Sequence, residues 1–300
     1  MKLLSYSHPS IRNGTSSFGA VNDTTSPTAL IIDLSTRMPD VRDLSDLIAQ
    51  QRINEARSIV ETASLNPAIG VPLSSVTFER TLPAPGKIFC IGVNYGGRNA
   101  EYRDSQDAPT KPSVFVRFPS SFTGHGQSLI RPPESPQLDY EGEIVAVIGT
   151  GGRRISRSNA RRHIAGLTLG NEGTIRDWVR HAKFNVTQGK NWDSSGSIGP
   201  WMTTLDEIGE FENLNLTTHV NGELRQNDTP AAMAYPIDFQ IEYLSTFCTL
   251  EPGDIIFTGT PTGAGARFDP PRFLAPGDVV EVSVPELGTL RNDVVDEMIS

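Results

Sequence analysis

Residues 139–149 read Asp139-Tyr140-Glu141-Gly142-Glu143-Ile144-Val145-Ala146-Val147-Ile148-Gly149. The apolar run that begins at Ile144 is typical of a buried strand, and acidic residues stand directly before it. Because side chains alternate along a strand, Glu141 and Glu143 point to the same face, with their Cα atoms roughly 7 Å apart. Charged side chains are rarely buried without a partner, so the pattern predicts a bound cation or a fixed Arg or Lys beside the acids. The alternative is an exposed edge strand with solvated carboxylates.

The composition is that of an acidic globular protein. The chain has 300 residues, of which 37% are hydrophobic, and it carries a formal net charge of -9 with a pI near 5.1. This length accommodates one main domain and a smaller second unit. The negative charge would repel nucleic acids and anionic membranes, and no block of Lys or Arg opposes it. We therefore expect a small-molecule substrate, and neither a nucleic-acid nor a membrane partner.

The cysteines and the N-terminal residues bear on the cellular compartment. Cys90 and Cys248 lie within apolar runs, which predicts core thiols in a reducing compartment. Met1 to Pro9 lack the apolar stretch of a signal peptide, and no apolar run in the sequence is long enough to cross a bilayer. These features predict a cytoplasmic protein.

Residues 1–80 are predicted to form a small N-terminal α+β domain. Its strands are predicted at Lys2 to Tyr6 and at Ala29 to Leu34. Apolar residues then recur at helical spacing over about 41–63, which predicts one helix capped by Asp40 or Asp43.

Residues 81–300 are predicted to form the catalytic domain, which begins at a turn rich in Pro and Gly. Lys87 to Gly92 is typical of a buried strand, and the glycines after it predict a short polar helix or lid around Arg98 to Arg103. The strongest hairpin signal is Asn221-Gly222. Further strands are predicted at 114–118, 144–148, 164–169, 216–220, 255–258 and 279–284. These patterns predict a predominantly β protein with some α structure, an α+β fold.

Several common catalytic motifs are absent from the sequence. Gly149-Thr150-Gly151-Gly152 follows a strand, but the third glycine position of a dinucleotide-binding motif is Arg154 and no helical pattern follows at once. The sequence has no Walker A loop, no His-Glu-x-x-His helix and no Gly-x-Ser-x-Gly elbow, and its five histidines lack zinc-ligand spacing. Zinc and serine-nucleophile chemistry are therefore disfavoured.

A third acid, Glu172, follows the apolar residues 167–169. Taken alone, Glu172 reads as a solvated loop acid. Paired with Glu141 and Glu143, it supplies a third oxygen ligand, which suits Mg²⁺ or Mn²⁺. Mg²⁺ keeps exchangeable waters, and a bidentate substrate can replace them.

Two cations follow Glu172 closely and stand beside aromatic and turn residues. Arg176 precedes Asp177-Trp178, and Lys190 lies in Gly189-Lys190-Asn191-Trp192. An Arg offers a bidentate fork for a carboxylate, and a Lys offers a point charge for a developing oxyanion. Surface positions remain the simpler interpretation of both. The loop Gly259-Thr260-Pro261-Thr262-Gly263 ends another apolar strand, and its glycines would let backbone approach a ligand.

Taken together, these fragments resemble the fumarylacetoacetate hydrolase family from about Lys87 to the C-terminus. The matching segments, in the family's order, are 87–95, 139–143, 171–172, 176–177, 189–190, 221–226, 252–256 and 258–261. So many independent fragments in one order are hard to obtain by chance. The resemblance implies a mixed β-sandwich roll that usually forms a homodimer.

The resemblance also implies a divalent metal held by Glu141, Glu143 and Glu172. The ion would be Mg²⁺ or Mn²⁺, with Ca²⁺ as a substitute in crystals. The family usually has Asp at the third position. Because Glu172 is one methylene longer, we expect either a displaced ion or a preference for a different metal.

The same resemblance implies a substrate pocket beside the metal. Arg176 and Lys190 match positions that bind the carboxylate and enolate oxygens of the substrate. Tyr95, Gly259 and Thr260 are expected to line this pocket.

The chain departs from the family at Arg98, where members that hydrolyse carbon–carbon bonds typically have a His paired with the following Glu. Arg does not act as a base at neutral pH. Glu101 remains as a candidate general base, and Arg98 is expected to bind a distal substrate carboxylate. His125, in Gly124-His125-Gly126, is a second candidate base, although a structural histidine in a turn fits the same pattern.

These expectations lead to a metal-dependent hydrolase of carbon–carbon bonds in acylpyruvate-like 2,4-dioxo acids, of the kind met in aromatic catabolism. A second interpretation is lyase or isomerase chemistry on a similar chelating 2-oxo acid, such as decarboxylation, hydration or enol–keto tautomerisation. A third is a catalytically silent family member that keeps the metal pocket.

Overall fold

The protein is a predominantly β structure with a few short helices, which confirms the predicted α+β class. The computed structural model describes residues 1–21, 28–64, 70–96, 110–183 and 185–298. The strands are β1 Lys2–Ser7, β2 Ser17–Val21, β3 Leu30–Asp33, β4 Val71–Pro72, β5 Thr77–Phe78, β6 Ile88–Gly92, β7 Ser113–Val116, β8 Phe122–Thr123, β9 Leu129–Arg131, β10 Leu138–Asp139, β11 Gly142–Ile148, β12 Ile164–Asn171, β13 Thr174–Ile175, β14 Gly196–Thr204, β15 Leu216–Val220, β16 Glu223–Asp228, β17 Ile255–Phe257, β18 Val279–Val284 and β19 Gly288–Asp296.

The main sheet is built around β11, the apolar strand that follows the acidic stretch. Its path runs β4-β3-β2-β1-β14-β12-β11-β17-β6-β7, with β5 and β8 attached at its side. β11 is buried along its whole length and pairs antiparallel with both β12 and β17. Because both faces of β11 are covered, its run of aliphatic residues is unbroken rather than alternating.

The N-terminal strands extend this sheet. β1 pairs antiparallel with β14, with Leu3 opposite Met202, and β2 pairs with β1. β2 was not predicted because its few apolar residues follow a polar stretch. Residues 1–80 therefore share a sheet with the rest of the chain, and the division into two domains at residue 80 stays a prediction.

The predicted helix over 41–63 is wrong in one respect, because the structure has two helices there. They are α1, Leu44–Ala49, and α2, Ile53–Ser64. Between them Gln51 has a φ of 59°, which a continuous right-handed helix does not allow. Asp43 caps α1, since its carboxylate accepts a 2.9 Å hydrogen bond from the backbone N–H of Asp46.

A second, five-stranded sheet has the order β16-β15-β18-β19-β9. The predicted hairpin between β15 and β16 is confirmed, with Asn221 and Gly222 at φ values of 52° and 77° as a type I′ turn requires. Buried side chains of this sheet, such as Val282, form one hydrophobic core with Ile144 of β11. The two sheets thus pack face to face across β11.

Two more α-helices lie in the described residues, besides several short 3-10 helices. α3, Val186–Lys190, precedes β14, and α4, Ile237–Phe247, buries Ile237, Ile241 and Leu244. α4 was not predicted, although its apolar residues do recur at helical spacing. Within the described residues, no helix combines the length and the apolar character needed to span a membrane.

Candidate active site

Three carboxylates converge at the end of β11. Glu143 lies in β11, Glu141 precedes that strand, and Glu172 follows β12. The pairing of β11 with β12 sets Gly142 opposite Asn171, and the backbone N–H of Glu172 donates a 2.8 Å hydrogen bond to the carbonyl of Glu141. All three side chains are buried, and one oxygen from each lies within 4.8 Å of the others. The predicted convergence of the three acids is therefore confirmed.

Glu143 is oriented by the loop after β17. The backbone N–H of Gly259 donates a 2.7 Å hydrogen bond to Oε2 of Glu143. Gly259 has a φ of 104°, and a Cβ at this position would lie 2.6 Å from the Cβ of Asn94, so only glycine fits. The hydroxyl of Thr260 donates to the carbonyl of Gly142 at 2.9 Å. The loop therefore holds Glu143 and β11 in a fixed relation.

Lys190 lies among the three carboxylates. Its Nζ is 2.5 Å from Oε2 of Glu141 and 3.0 Å from Oε1 of Glu172, and the side chain is buried. Burial alone would favour the neutral amine, but Glu141 and Glu172 outweigh it and raise the pKa of Lys190. Lys190 is therefore an ammonium group, which donates hydrogen bonds and does not act as a base.

Arg176 is fixed by two acids. Its Nε donates to Oδ2 of Asp139 at 2.7 Å, and its Nη2 donates to Oε1 of Glu141 at 2.7 Å. Asp139 is fully buried, so the pair is shielded from water. The guanidinium is held in one orientation at the edge of the acidic cluster.

Arg117 is a further cation of the site, and sequence reasoning missed it. Its side chain is fully buried, and its Nη1 lies 3.4 Å from Oε1 of Glu172 and donates to the carbonyl of Gly173 at 3.0 Å. Its Nη2 donates to Oγ of Ser195 at 3.0 Å. The available signal was a lone cation directly after the apolar residues of β7, which is the pattern that marks Glu172 after β12.

The electrostatics of the acidic cluster fit a bound dication. Burial and the like charges of Glu172 and Glu141 raise the pKa of Glu143 well above its usual range. Burial also raises the pKa of Glu172, against the opposing charges of Lys190 and Arg117. A divalent cation would remove the repulsion among the three carboxylates, and oxygen ligands of this kind suit Mg²⁺ or Mn²⁺. Glu141, Glu143 and Glu172 are therefore the residues that could hold the metal.

A cavity of about 400 Å³ opens on this cluster. The three acids, Arg176, Lys190 and Thr260 line it together with Val93, Phe115, Val179 and Val186. Its size suits a small organic acid. A larger cavity of about 970 Å³ lies elsewhere, between Phe118 and Met298, and none of these acids or cations lines it.

Other predicted site residues lie apart from the cavity. His125 lines a different cavity beside Pro200 and Trp201, where its Nδ1 accepts a 3.2 Å hydrogen bond from the backbone N–H of Arg291. This location corrects the expectation that His125 is the base at the acidic cluster. Its side chain lies in a separate cavity and contacts the backbone there. Tyr95 is buried in the hydrophobic core and is not among the residues that line the cavity. Arg98 and Glu101 lie outside the described residues.

Comparison with known proteins places this site in a known group. The sequence profile of the family described as fumarylacetoacetate (FAA) hydrolase, C-terminal, matches residues 87–295. The chain is 41% identical over 249 residues to the oxaloacetate tautomerase YisK of Bacillus subtilis (strain 168). The aligned region covers 81% of this chain and 82% of that protein.

Two solved structures share the whole fold. A probable 2-hydroxyhepta-2,4-diene-1,7-dioate isomerase from Mycobacterium abscessus has a TM-score of 0.78 and 33% identity, with 100% of both chains covered. Maleylpyruvate hydrolase from Sphingobium sp. SYK-6, in complex with manganese(II) ion and pyruvate, has a TM-score of 0.79 and 25% identity, with 99% of this chain and 100% of that chain covered. With a profile match over most of its length and a relative 41% identical over four fifths of it, this chain belongs to the fumarylacetoacetate hydrolase family.

Proposed function

We propose that this protein is a metal-dependent isomerase that interconverts the enol and keto forms of a short 2-oxo dicarboxylic acid, with oxaloacetate as the first substrate to test. The observation that carries the proposal is the buried ammonium of Lys190, which lies beside three carboxylates at the base of a cavity sized for a small acid. The likeness to an oxaloacetate tautomerase supports this chemistry over the carbon–carbon hydrolysis that the sequence first suggested.

The metal-binding residues would be Glu141, Glu143 and Glu172. A dication held there would polarise the 2-oxo group and would stabilise negative charge on its oxygen. The loop residue Gly259 keeps Glu143 in the ligating orientation through its 2.7 Å hydrogen bond. The apolar side chains of Phe115 and Val186 line the same cavity.

Two cations of the chain would act on the substrate directly. Lys190 donates a hydrogen bond to the oxygen on C2, where negative charge develops when C3 loses a proton. Its Nζ is held in place for this contact by Glu141 at 2.5 Å and Glu172 at 3.0 Å. Arg176, held by Asp139 and Glu141, presents its guanidinium to the C1 carboxylate. These contacts fix the plane in which a base takes a proton from C3 of the keto form. The oxygen on C2 takes a proton from solvent water to give the enol, and the reverse reaction releases that proton to water as C3 regains one.

The mechanism also requires a base that removes the C3 proton. Among the described residues that line the cavity, the only carboxylates are the three of the acidic cluster. We therefore propose Glu101 as this base, as the family resemblance implies. General acid–base catalysis of this kind contributes about 10² to 10⁴ in rate.

The test is to add purified protein to oxaloacetate in its enol form with Mg²⁺ or Mn²⁺ and to follow the loss of enol absorbance. Tautomerisation leaves the mass of the compound unchanged, whereas decarboxylation releases CO₂ and pyruvate. The enol absorbance should decay faster with protein than without it, with no new product mass. A rate equal to the buffer control with either metal would reject the proposal.

Hydrolysis of a carbon–carbon bond in an acylpyruvate remains a second candidate. The likeness to maleylpyruvate hydrolase, whose structure contains manganese(II) ion and pyruvate, favours it. Hydrolysis also requires a base that activates water, and the chain has Arg98 where such family members have His. Incubation with a panel of acylpyruvates separates the two functions, because only hydrolysis yields pyruvate and a second carboxylic acid.

We also propose that the protein is a homodimer, which sedimentation analysis would test.

A further inference from the structure

Arg117 is a buried cation whose hydrogen-bond donors are all used within the protein. Its Nη1 donates to the carbonyl of Gly173 at 3.0 Å and to Oε1 of Glu172 at 3.4 Å. Its Nη2 donates to Oγ of Ser195 at 3.0 Å and to the carbonyl of Ser121 at 3.3 Å, and its Nε donates to Oγ of Ser121 at 3.1 Å. These contacts account for the five N–H donors of a guanidinium group. Arg117 does not line the cavity, so its role is separate from direct contact with a substrate.

The surroundings of Arg117 hold its charge in one place. The side chain is fully buried, and the carbon at the centre of the guanidinium lies 4.1 Å from the centre of the Phe122 ring. Its acceptors lie in the short helix Pro119–Ser121, directly after β12 and directly before β14. A guanidinium fixed by several segments at once cannot withdraw when a second positive charge approaches.

Arg117 and Lys190 approach the same oxygen of Glu172. Nζ of Lys190 lies 3.0 Å from Oε1, and Nη1 of Arg117 lies 3.4 Å from it. Within the described residues, the ion pairs of this carboxylate fall on Oε1, and Oε2 is the oxygen without a cation beside it. An ion that binds through Oε2 alone stays away from both cations. An ion that binds through both oxygens lies closer to them, and charge repulsion is strong in a buried site.

The other two acids of the cluster are restrained in a similar way. Oε1 of Glu141 accepts from Nη2 of Arg176 at 2.7 Å, and its Oε2 accepts from Nζ of Lys190 at 2.5 Å. Oε2 of Glu143 accepts from the backbone N–H of Gly259 at 2.7 Å. Each acid therefore has a donor on at least one oxygen, which favours binding of an ion through single oxygens.

The number of oxygens that each carboxylate offers bears on the choice of ion. Ca²⁺ takes six to eight oxygen ligands and often uses both oxygens of one carboxylate. Mg²⁺ is smaller, requires a nearly octahedral shell and keeps several waters in it. Carboxylates that each offer one oxygen suit the octahedral ion better than the larger one.

We propose that Arg117 is a positioning residue that restricts Glu172 to binding through one oxygen and thereby makes the acidic cluster favour Mg²⁺ over Ca²⁺. The proposal rests on the metal centre of the function proposed above and adds the residue that sets its ion selectivity. Arg117 contacts neither the ion nor the substrate and acts through Glu172.

The experiment measures the affinities for Mg²⁺ and Ca²⁺ by competition with Mn²⁺, whose free-ion electron paramagnetic resonance signal falls on binding. No substrate is needed. Arg117→Met should lower the ratio of Mg²⁺ affinity to Ca²⁺ affinity by roughly tenfold, the size of one lost charged contact. Loss of the positive charge acts on both ions alike, so the ratio reports the geometry of Glu172. Arg117→Lys should restore part of the ratio, because an ammonium group keeps a charge beside Oε1.

Arg80→Met is the matched control. Nη1 of Arg80 donates to the carbonyls of Pro119 and Phe122 at 2.6 Å and 3.3 Å, so it supports the same short helix that Arg117 contacts. Its Nη2 donates to the carbonyl of Pro83 at 2.9 Å, and Arg80 does not line the cavity at the acids. Arg80→Met should lower the melting temperature and leave the ratio unchanged.

Two further variants keep the test decisive if Arg117→Met does not fold. Ser195→Ala removes one acceptor of Nη2 and should lower the ratio by at least about twofold, because the guanidinium is then less firmly held. Glu172→Asp draws the carboxylate one methylene away from Arg117. In that background Arg117→Lys should change the ratio by less than about twofold, because the contact that couples the two residues is already lost.

The outcomes separate this inference from the proposed function. An unchanged ratio in Arg117→Met, or in Ser195→Ala if Arg117→Met does not fold, would overturn the inference. Equal weakening of both ions would also overturn it, since a purely structural role has that effect. An unaltered protein that binds none of the three ions would reject the metal centre together with this inference. A selective fall of the ratio in a protein that does not tautomerise oxaloacetate would support the role of Arg117 and reject the proposed activity.

Discussion

At the scale of single residues, Glu143 is the side chain on which the metal site depends most. Glu143→Gln should weaken Mg²⁺ and Mn²⁺ binding by at least about tenfold and abolish turnover, because it removes one charged ligand while keeping the hydrogen bond from Gly259. The fold should be kept, since burial and the repulsion from Glu172 and Glu141 already disfavour the charged form without metal. Calorimetric metal titration and thermal unfolding measure the two effects.

Glu251→Gln is a control for that substitution. Glu251 is largely exposed and pairs with Lys87, and neither residue belongs to the acidic cluster. Loss of the Glu251 charge should therefore leave metal affinity unchanged. Unaltered metal binding in Glu143→Gln, or activity that persists under a strong chelator, would contradict the metal centre.

His125 should affect the stability of the protein and not its chemistry. Burial and the nearby charge of Arg291 lower the pKa of His125 from 6.5 to about 4, although a hydrogen bond involving the backbone of Thr289 opposes the shift. A histidine with a lowered pKa stays neutral in the folded state but takes up a proton in the unfolded chain. Its contribution is therefore present above pH 6.5 and is lost progressively as the pH falls towards 4.

The variant His125→Gln should accordingly unfold in urea with a weaker pH dependence between pH 7 and 5 than the unaltered protein. Its kcat with oxaloacetate at pH 7 should be unchanged, because His125 lines a separate cavity. A large loss of kcat at unchanged stability would return His125 to the active site.

The residues of the site were predictable where a charge directly adjoins an apolar strand. Glu141, Glu143 and Glu172 could be found because an unbroken aliphatic run predicts burial, and a buried carboxylate needs a partner. Asp139 and Arg117 were missed as partners because their contacts join segments distant in sequence, such as Arg117 with Ser195. No local pattern records which distant atoms such a side chain will meet.

At the scale of elements, the loop after β17 connects the fold to the site. Gly259→Ala should destabilise the protein by about 1–3 kcal/mol, because alanine at a φ of 104° is strained and its Cβ would collide with Asn94. Any shift of the loop also displaces the N–H that holds Glu143, so metal affinity should fall as well. Urea unfolding and metal titration measure the two effects on one variant.

Gly277→Ala separates the backbone cost from the contact cost. Gly277 has a φ of 91°, but a Cβ there would meet no atom within 4 Å. This variant should lose about 1 kcal/mol of stability and keep its metal affinity. If the two alanine variants behave alike, the close contact with Asn94 does not position the loop.

Strands and helices were predicted well where the hydrophobic periodicity was strong. They were predicted poorly where the backbone conformation of a single residue ends an element. β11, β15 and β18 follow from their apolar runs, and the hairpin at Asn221-Gly222 follows from turn chemistry. The break between α1 and α2 arises at Gln51, whose positive φ interrupts a periodic pattern that continues on both sides. Periodicity reports which face is buried and is insensitive to a single residue that leaves the helical region.

At the scale of the whole molecule, residues 1–80 and 81–300 share one hydrophobic core. Leu3, Phe18 and Leu34 belong to the same buried cluster as Val145 and Val147 of β11, on the face of the strand that also carries Glu143. Burying one such side chain contributes about 1.5–3 kcal/mol. Exposing several of these side chains at once would therefore cost as much as the net free energy of unfolding of a typical domain, which is about 5–15 kcal/mol.

We therefore expect that the fragment 81–300 does not fold on its own. Without β1, the partner edge of β14 is unpaired, and the aliphatic face of β11 is exposed to water. The fragment should aggregate or bind a hydrophobic dye without a cooperative thermal transition, and it should lack Mg²⁺ affinity because β11 also positions Glu143. Adding residues 1–80 as a separate chain should restore metal binding if pairing of β1 with β14 is what the fragment lacks. A fragment that unfolds cooperatively and binds Mg²⁺ alone would instead establish residues 81–300 as an independent domain.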